Sequence, residues 1–588
     1  MPTMLRSRAH AILMLGALVG RAAELPRPDD PSHFTPADRS AMLEVVRRAA
    51  AARDDAPVPP GQLPAKLLRS TGRALLVSAH VPGREPLVAV AAKGTLLEQL
   101  TAAARSLREG GRLAPLGSVR LKIDLVLASS PVEFGFSAQP VLGIEGLRVR
   151  AGATDLWLPP SEALRLDLPN GEAFVRTALG RLKGAGPADV AIERFTTLSF
   201  IEAAAGPPLD LTRGMPLVER VTRQRLLAAC EAAAGWLLRF QKPDGSFHYL
   251  YNAAKDEVAG QDYSAVRHAG TAWSLVQAYG ATGHRRFREG AARALQWLLA
   301  HEQRRGEMAW IEHGEERSLG AAALAVVALL EYRSAAGTRR FDGDLRRLGR
   351  FLAFMQRDDG FFWPAYDPEE HRGVLPAGCM PLFEPGEAFL ALVRLGRVLP
   401  DPAWAGAAAR AADFAAARRD AWYVAHDLPM IHPDAWTMMA LDELHAAGAA
   451  RRVHADYCFF LAQQILDEQE TPATARWRDH VGAPRSEAAA PEVGPAAGRC
   501  EGLLAAWRLA RRMGASTVDY RRAILLSACF QLAHHYGAAN SYLLPNPTRA
   551  AGGFYASYAD HSIRIDHVQH NLSSLLGVAE LLEAEKEE

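Results

Sequence analysis

The chain has 588 residues, a formal net charge of +1 from 67 basic and 66 acidic residues, and 49% hydrophobic residues. This length exceeds what one hydrophobic core supports, so two or more domains are expected. The near-neutral charge argues against nucleic acid as a partner, and no apolar run reaches the roughly 18 to 20 residues needed to span a bilayer.

The first 22 residues have the pattern of a secretory signal. Arg6 and Arg8 precede an apolar run over residues 11–20, and a small-x-small triplet ends at Ala22. A signal here predicts a periplasmic or secreted protein. The alternative, a short N-terminal helix, predicts a cytoplasmic one.

The five cysteines are scattered within helical patterns and include no C-x-x-C pair. Their number and spacing favour buried free thiols over a disulfide framework or a metal site. His567 and His570 have an i, i+3 spacing, but no Cys-rich or His-Glu-x-x-His pattern accompanies them. We therefore predict neither a metal nor a cofactor.

Residues 23–70 form an N-terminal extension rich in Pro, Asp and Ala, with one amphipathic helix near its middle. Residues 71–205 alternate short apolar strands with two helical segments, which predicts a small α+β domain. The strands are expected near 74–79, 86–92, 121–127, 141–150, 155–158 and 192–202, and the helices near 96–107 and 171–182. Residues 206–220, which begin near two prolines, are predicted to be a linker.

The order of these elements resembles the AMMECR family. The residues that carry the resemblance are I-D-L-V-L-A-S-S-P-V-E-F (123–134), V-L-G-I-E-G-L-R-V-R-A-G-A-T-D-L-W-L-P-P (141–160) and G-E-A-F-V-R-T-A-L-G (171–180). The family's Arg-Gly-Cys-Ile-Gly signature is absent, and V-A-V-A-A-K-G (88–94) stands roughly where it would be. The resemblance therefore implies a fold and no catalytic residue.

Residues 221–585 have helical periodicity almost throughout. Helices are expected near 222–241, 264–280, 285–303, 317–334, 342–357, 385–397, 402–418, 433–447, 453–468, 499–513, 519–536 and 565–584. Every second helix is apolar all round after its first turn, as full burial requires, whereas the others are amphipathic. This alternation predicts an (α/α)6 barrel with the even-numbered helices inside. The predicted fold class is thus a multidomain protein, a small α+β domain followed by an all-α (α/α)6 barrel.

Two turns share a Gln-x-x-x-Gly-x-aromatic pattern, at Gln241 to Phe247 and at Gln356 to Phe362. This pattern resembles the turn repeat of squalene-cyclase and prenyltransferase toroids. Its Asp-Gly-aromatic core also resembles (α/α)6 carbohydrate enzymes, the six-hairpin glycosidases and sugar epimerases. In both families the turn is structural, so the resemblance implies an architecture.

Polar residues stand at the start of each predicted inner helix, and in such a barrel these starts meet around one mouth. Carboxylates there can be helix caps, but cations at helix N-termini oppose the dipole and are costly to bury unpaired. The mixture predicts a polar ligand pocket. Candidate catalytic residues are Asp262, Glu387, Asp434, Glu501 and Asp566, of which Asp566 and Glu387 are favoured because both are expected one turn inside their helices. Candidate substrate-binding residues are Tyr263, Arg267, His268, Trp436, Arg499, Arg564, His567 and His570.

Carboxylate pairs beside aromatic surfaces suit glycosyl chemistry, and arginines suit an anionic sugar. We therefore predict a carbohydrate-active enzyme, a hydrolase, lyase or epimerase, whose partner is a polysaccharide, oligosaccharide or other small polar ligand. A terpenoid-cyclase-like toroid is one alternative, although its Asp-x-Asp-Asp motif is absent and the mouth is polar for a carbocation. A non-catalytic protein that binds polysaccharide or peptide is the other.

Overall fold

The computed structural model describes residues 34–51, 63–109, 119–132, 139–182, 190–260, 263–314, 317–426, 433–486 and 490–586. The signal sequence predicted for residues 1–22 lies outside these ranges. The domain boundaries and the AMMECR resemblance stay predictions.

The N-terminal part of the described chain, up to Pro216, is here called the sheet half, and the rest is called the barrel half. The sheet half is built on an antiparallel sheet with strand order β2-β1-β3-β6-β4-β5, extended from β6 by the hairpin β7–β8. The strands are β1 (Leu75–His80), β2 (Leu87–Ala91), β3 (Arg120–Pro131), β4 (Glu145–Ala151), β5 (Thr154–Leu158), β6 (Val190–Ile201), β7 (Leu209–Thr212) and β8 (Met215–Pro216). The hairpin falls in the stretch predicted as a linker. Leu209 and Leu211 pack against the core of the helical barrel, which explains why these residues are ordered strands.

Four helices accompany the sheet: α1 (Pro36–Ala51), α2 (Leu96–Glu109), α3 (Ser161–Arg165) and α4 (Gly171–Gly180). Alternate side chains of β1 and β3 form one core with α1 and α2, as the period of two along a strand requires. The opposite face carries Ser78, His80, Lys122 and Asp124, all buried. There the His80 ring meets Tyr542 edge-on at 4.8 Å, so the polar face of the sheet is covered by the C-terminal half of the chain.

Six helices form a closed inner ring in the second half of the chain. Each contacts the next, and the last contacts the first. In ring order they are α6 (Ala265–Thr282), α8 (Leu319–Ala336), α10 (Glu384–Val398), α13 (Ala435–Ala446), α15 (Val493–Met513) and α18 (Ile565–Ala584).

Six further helices pack outside this ring: α5 (Arg223–Phe240), α7 (Arg285–Ala300), α9 (Asp342–Phe354), α11 (Pro402–Ala417), α14 (Arg452–Glu468) and α16 (Val518–Ala533). The predicted alternation of inner and outer helices, and with it the (α/α)6 toroid, is confirmed. The inner helix α8 is long and apolar enough by composition to cross a membrane, but 72% of its apolar window is buried inside the barrel. Its composition follows from burial on all sides.

The Gln-x-x-x-Gly turns join the outer helices to one another. In each turn the glutamine Nε2 donates to the glycine carbonyl and to a carbonyl on the next outer helix: Gln241 to Gly245 and Gly290, Gln356 to Gly360 and Ala407, and Gln469 to Gly482 and Ala523. The third turn escaped the sequence pattern because its glycine follows thirteen residues after the glutamine. The turn at Gly552, which contains no glutamine, lies in the same way against the Ala232 carbonyl of α5.

The remaining elements lie at the ends of the barrel: α12 (Arg419–Ala425), α17 (Pro547–Ala550) and the short strands β9 (Leu250–Asn252), β10 (Glu257–Ala259), β11 (Glu302–Arg305), β12 (Met308–Ile311), β13 (Ala365–Asp367), β14 (Arg372–Val374) and β15 (Ser562–Arg564). Strand β9 lies between β10 and β15 in a three-stranded sheet. Since β15 leads directly into α18, this sheet fixes the start of the last inner helix.

Helix α15 begins at Val493, six residues before the predicted start near 499. The sequence there contains Gly494, Pro495 and Gly498, and glycine and proline have the lowest helix propensities. Proline is tolerated in the first turn of a helix because its missing N–H has no intrahelical partner. Arg499 and Glu501 therefore lie in the second and third turns of this helix, and the prediction that they lie in its first turn was wrong.

Candidate functional site

The first turns of the inner helices meet at one end of the barrel, here called the mouth. Arg267 of α6 contacts Asp566 of α18. A Cβ on Gly320, at the start of α8, would overlap Glu387 of α10 and lie 3.4 Å from Val266 of α6. These contacts follow the ring from α18 through α6 and α8 to α10, and they place the starts of these helices around one opening.

Asp566 lies between two arginines, and the three residues are here called the arginine clamp. Arg564 donates from Nε and Nη2 to the two carboxylate oxygens of Asp566 at 2.6 and 2.9 Å. Arg267 donates from Nε to Oδ2 at 3.0 Å and from Nη1 to the Tyr249 hydroxyl at 2.7 Å. The Arg267 side chain remains 43% exposed and that of Arg564 31%. The clamp thus presents two oriented guanidinium groups to solvent at the mouth.

Burial raises the pKa of Asp566, but His567, Arg564 and Arg267 outweigh it and hold that pKa below the ordinary carboxyl range. Burial also lowers the pKa of His567 to about 4, so this imidazole is neutral near pH 7. At neutral pH the two guanidinium groups, and not the imidazole, therefore keep the pKa of Asp566 low. A carboxylate that is held ionised and bonded through both oxygens is poorly suited to accept a proton.

Asp566 is also nearer the helix start than predicted. It is the second residue of α18, in the first turn, and Arg564 is the N-cap. The expectation that Asp566 lies one turn inside its helix was wrong, because α18 begins at Ile565, where the sequence predicts it, and only this one residue of the helix precedes Asp566.

His570 and Glu501 form a hydrogen-bonded pair between the adjacent inner helices α18 and α15. The His570 Nδ1 lies 2.8 Å from Glu501 Oε2, and the two side chains are 25% and 4% exposed. Burial raises the pKa of Glu501. Burial also disfavours the His570 imidazolium, but the Glu501 carboxylate with Asp566 outweighs this and raises the pKa of His570 above its ordinary value. Both shifts favour a proton held between Glu501 and His570.

Two tryptophans from opposite inner helices meet beside His570. The Trp436 ring centroid lies 5.9 Å from that of His570 and 5.8 Å from that of Trp273 on the opposite inner helix α6. Trp273 Nε1, Glu501 Oε1 and His567 Nδ1 are buried and have no hydrogen-bond partner among the described residues. Buried polar atoms are normally paired, so these atoms favour a polar ligand or ordered water in the lumen.

Glu387 and Asp434 lie on the other side of the mouth. Both are buried, and each lies against a glycine of the preceding inner helix, Gly320 for Glu387 and Gly386 for Asp434. Asp434 is the N-cap of α13: it accepts from Trp436 N at 3.0 Å and from Thr437 Oγ1 at 2.6 Å. These contacts are those of a helix cap, while its catalytic role stays a prediction. Glu387 is the fourth residue of α10, as the sequence suggested.

Tyr263 and His268 point away from the lumen. The Tyr263 hydroxyl accepts from Phe247 N at 3.0 Å and donates to His268 Nδ1 at 2.7 Å. His268 Nε2 donates to the carbonyl of Ala294, on the outer helix α7, at 2.9 Å. Burial lowers the pKa of His268 to about 3, so it stays neutral. Both residues thus join the inner ring to the outer one, and their role in substrate binding stays a prediction.

Arg499 also points towards the outer ring. Its guanidinium pairs at 2.6 Å with Glu468, the last residue of the outer helix α14, so it links the rings as well. The remaining candidate, Asp262, lies outside the described residues.

Sequence reasoning missed Trp273, which lies in the third turn of α6. Its signal was present, since it is the single large side chain in the run A-G-T-A-W-S that otherwise consists of small residues. A large ring amid small residues on an inner helix must fill space at the axis.

No protein-family profile and no curated protein matches the chain. Among solved structures, a D-mannose isomerase is 12% identical with a TM-score of 0.46, over 61% of this chain and 98% of that one. The cellobiose 2-epimerase from Spirochaeta thermophila DSM 6192 is 16% identical with a TM-score of 0.43, over 62% and 97%. The uncharacterized protein PH0010 from Pyrococcus horikoshii is 19% identical with a TM-score of 0.26, over 30% and 98%. The function proposed below rests on the residues of the mouth.

Proposed function

We propose that this protein is a carbohydrate-active enzyme that moves a proton on and off carbon in a sugar carrying a carboxylate, as an epimerase or a lyase does. The observation that carries the proposal is the His570–Glu501 pair beside the arginine clamp. A carboxylate on Nδ1 orients an imidazole and raises its basicity, which leaves Nε2 for the substrate. The His570 side chain is 25% exposed.

The arginine clamp supplies the complementary charge. Removing a proton next to a carboxylate places negative charge on the carboxylate oxygens. Arg267 and Arg564 are held in fixed orientations by Asp566, so they can stabilise this charge without rearranging. The charges of Asp566 and Arg267 both influence the pKa of His570, Asp566 raising it and Arg267 lowering it. This supports one site that the base and the clamp share.

The described carboxylates favour proton transfer over hydrolysis by two carboxyl groups. A glycosidase of that kind needs one free acid and one free base or nucleophile. Asp566 is bonded to two arginines, Glu501 to His570, and Asp434 caps its own helix. Glu387 lies buried against Gly320 of the neighbouring inner helix.

A panel of sugars tests the proposal. The full-length protein is incubated with uronic acids, with oligosaccharides containing them and with the matching neutral sugars, and the products are followed by NMR. We expect binding and conversion of the uronic compounds, and loss of both in Arg564→Gln. Binding without conversion by folded protein would favour the non-catalytic alternative, and conversion of neutral sugars alone would contradict the role of the clamp.

A further inference from the structure

Asp167, a residue of the sheet half, contacts strand β9, which pairs with the strand that ends in Arg564. Asp167 lies in the turn between α3 and α4 with a left-handed φ of 52°, which is uncommon for a residue with a Cβ. Its side chain is 8% exposed. Backbone strain of this kind persists where the surrounding structure requires it, so the contacts of Asp167 are of interest.

Those contacts lie on the β9–β10 hairpin of the barrel half. Asp167 Oδ2 accepts from Asn252 Nδ2 at 3.0 Å and lies 3.1 Å from Lys255 Nζ. The other side of the same turn is held by Arg549, whose Nη1 lies 3.1 Å from Asp256 Oδ1. The turn is thus fixed between the sheet half and the end of the barrel.

The hairpin leads directly to the clamp. Strand β9 pairs with β15, in the register Asn252 with Ser562 and Leu250 with Arg564. The carbonyl of Tyr249 accepts from Ile565 N at 3.2 Å, and the Tyr249 hydroxyl accepts from Arg267. Moving β9 would therefore displace the strand that ends in Arg564 and the tyrosine that holds Arg267.

We infer that Asp167 is a positioning residue for the arginine clamp: by holding Asn252 and Lys255 it sets the place of β9, and through β9 the orientation of Arg564 and Arg267. The sheet half of the chain thereby takes part in shaping the mouth. The effect on ligand binding rests on the proposed function, whereas the effect on β9, β15 and the arginines does not.

Three variants of the full chain test this. Asp167→Gly removes the carboxylate and also relieves the positive φ, so the fold is retained. The double variant Asp167→Asn with Asn252→Asp reverses donor and acceptor and restores the bond. His371→Gly is the control, since His371 is another residue with positive φ, 51°, in the β13–β14 turn away from β9.

The first two measurements are independent of any substrate. In Asp167→Gly we expect the amides of residues 250–252 and 562–565 to exchange with deuterium about tenfold faster, because a charged hydrogen bond is lost. We also expect 2,3-butanedione to modify Arg267 and Arg564 faster, as measured by peptide mass spectrometry. Both rates should return towards wild type in the double variant and stay unchanged in His371→Gly. Unchanged exchange, or faster exchange with unchanged arginine modification, overturns the inference.

Binding of D-glucuronate by calorimetry provides a third measurement. We expect about tenfold weaker binding in Asp167→Gly and recovery in the double variant. If the wild type binds no uronic acid, the proposed function fails while the exchange and modification rates still decide the role of Asp167. If the wild type binds it and Asp167→Gly binds equally well despite altered rates, the link from Asp167 to the ligand is overturned.

Discussion

Trp273 and Trp436 come from opposite inner helices, and their rings meet across the barrel axis with centroids 5.8 Å apart. The Trp436 ring also lies beside His570, with the two ring centroids 5.9 Å apart. The two tryptophans therefore place aromatic surfaces next to the His570–Glu501 pair. Aromatic rings are common stacking surfaces for the apolar faces of sugars.

Trp436→Ala should destabilise the fold by about 3–5 kcal/mol, the usual loss for a buried aromatic. It should also abolish ligand binding per folded molecule, because it removes the aromatic ring that lies beside His570. Trp404→Ala is the matched control: Trp404 is 1% exposed on the outer helix α11, so a similar loss of stability is expected with binding retained. Equal binding by the two variants would contradict the place of Trp436 in the site.

Asp566→Asn should lower the free energy of unfolding at pH 7 by about 2–4 kcal/mol, because two partly buried guanidinium groups lose their counter-charge. The pKa of Asp566 is lowered in the folded protein, so its contribution is present above the unfolded value of about 3.9 and is lost as pH falls through the folded pKa. The difference between variant and wild type in urea unfolding should therefore shrink below about pH 4. A constant difference from pH 7 to pH 2 would argue against the ion pairs.

Glu501→Gln tests the pairing with His570 through pH dependence. The pKa of His570 is raised in the folded protein, so its contribution to stability is full below the unfolded value of about 6.5 and is lost as pH rises through the raised pKa. Without the Glu501 carboxylate, the pKa of His570 should fall below its ordinary value because burial then dominates. Titration of the His570 imidazole by NMR checks this, and an unchanged pKa in the variant would contradict the pairing.

Gly386→Ala and Gly396→Ala place the same methyl group at two positions of α10. At Gly386 the new Cβ would overlap Asp434 Oδ2 and lie 2.8 Å from Thr437 N, whereas at Gly396 it meets nothing within 4 Å. We expect Gly386→Ala to destabilise the protein by about 1–3 kcal/mol through overpacking. Gly396→Ala should stabilise it by about 0.5–1 kcal/mol. Thermal unfolding measures both, and equal shifts would show that the mouth is loosely packed there.

Much of the barrel could be predicted because the degree of burial of each helix determines the pattern of its apolar residues. Inner helices are apolar all round and outer ones amphipathic, so the order of the rings followed from periodicity. The start of α15 was missed because proline and glycine occur in its first turn, where the signal resembles a loop. Hairpin β7–β8 was missed because strands of four and two residues after two prolines give a weak pattern.

The site was harder to predict because helix position does not fix the direction of a side chain. The sequence predicts His268 and Asp566 in the first turns of their helices, which is where they lie. The His268 ring, however, points outward and bonds to the Ala294 carbonyl, and the Asp566 carboxylate bonds to two arginines. The pair formed by His570 and Glu501 depends on how α15 and α18 are aligned along their axes. That alignment is set by packing between the helices, which the local sequence does not reveal.

The most direct test of proton transfer by His570 is exchange of carbon-bound hydrogen with solvent. Wild type and His570→Gln are incubated in D2O with the uronic sugar that the wild type binds best, and deuterium on the sugar carbons is measured by mass spectrometry and NMR. The proposed function predicts deuterium at the carbon next to the carboxylate in recovered substrate or epimer, or net loss of that carbon-bound hydrogen as an unsaturated product forms, with the wild type and not with folded His570→Gln. If the wild type neither exchanges nor removes that hydrogen, or if His570→Gln does so at the same rate, the account is contradicted.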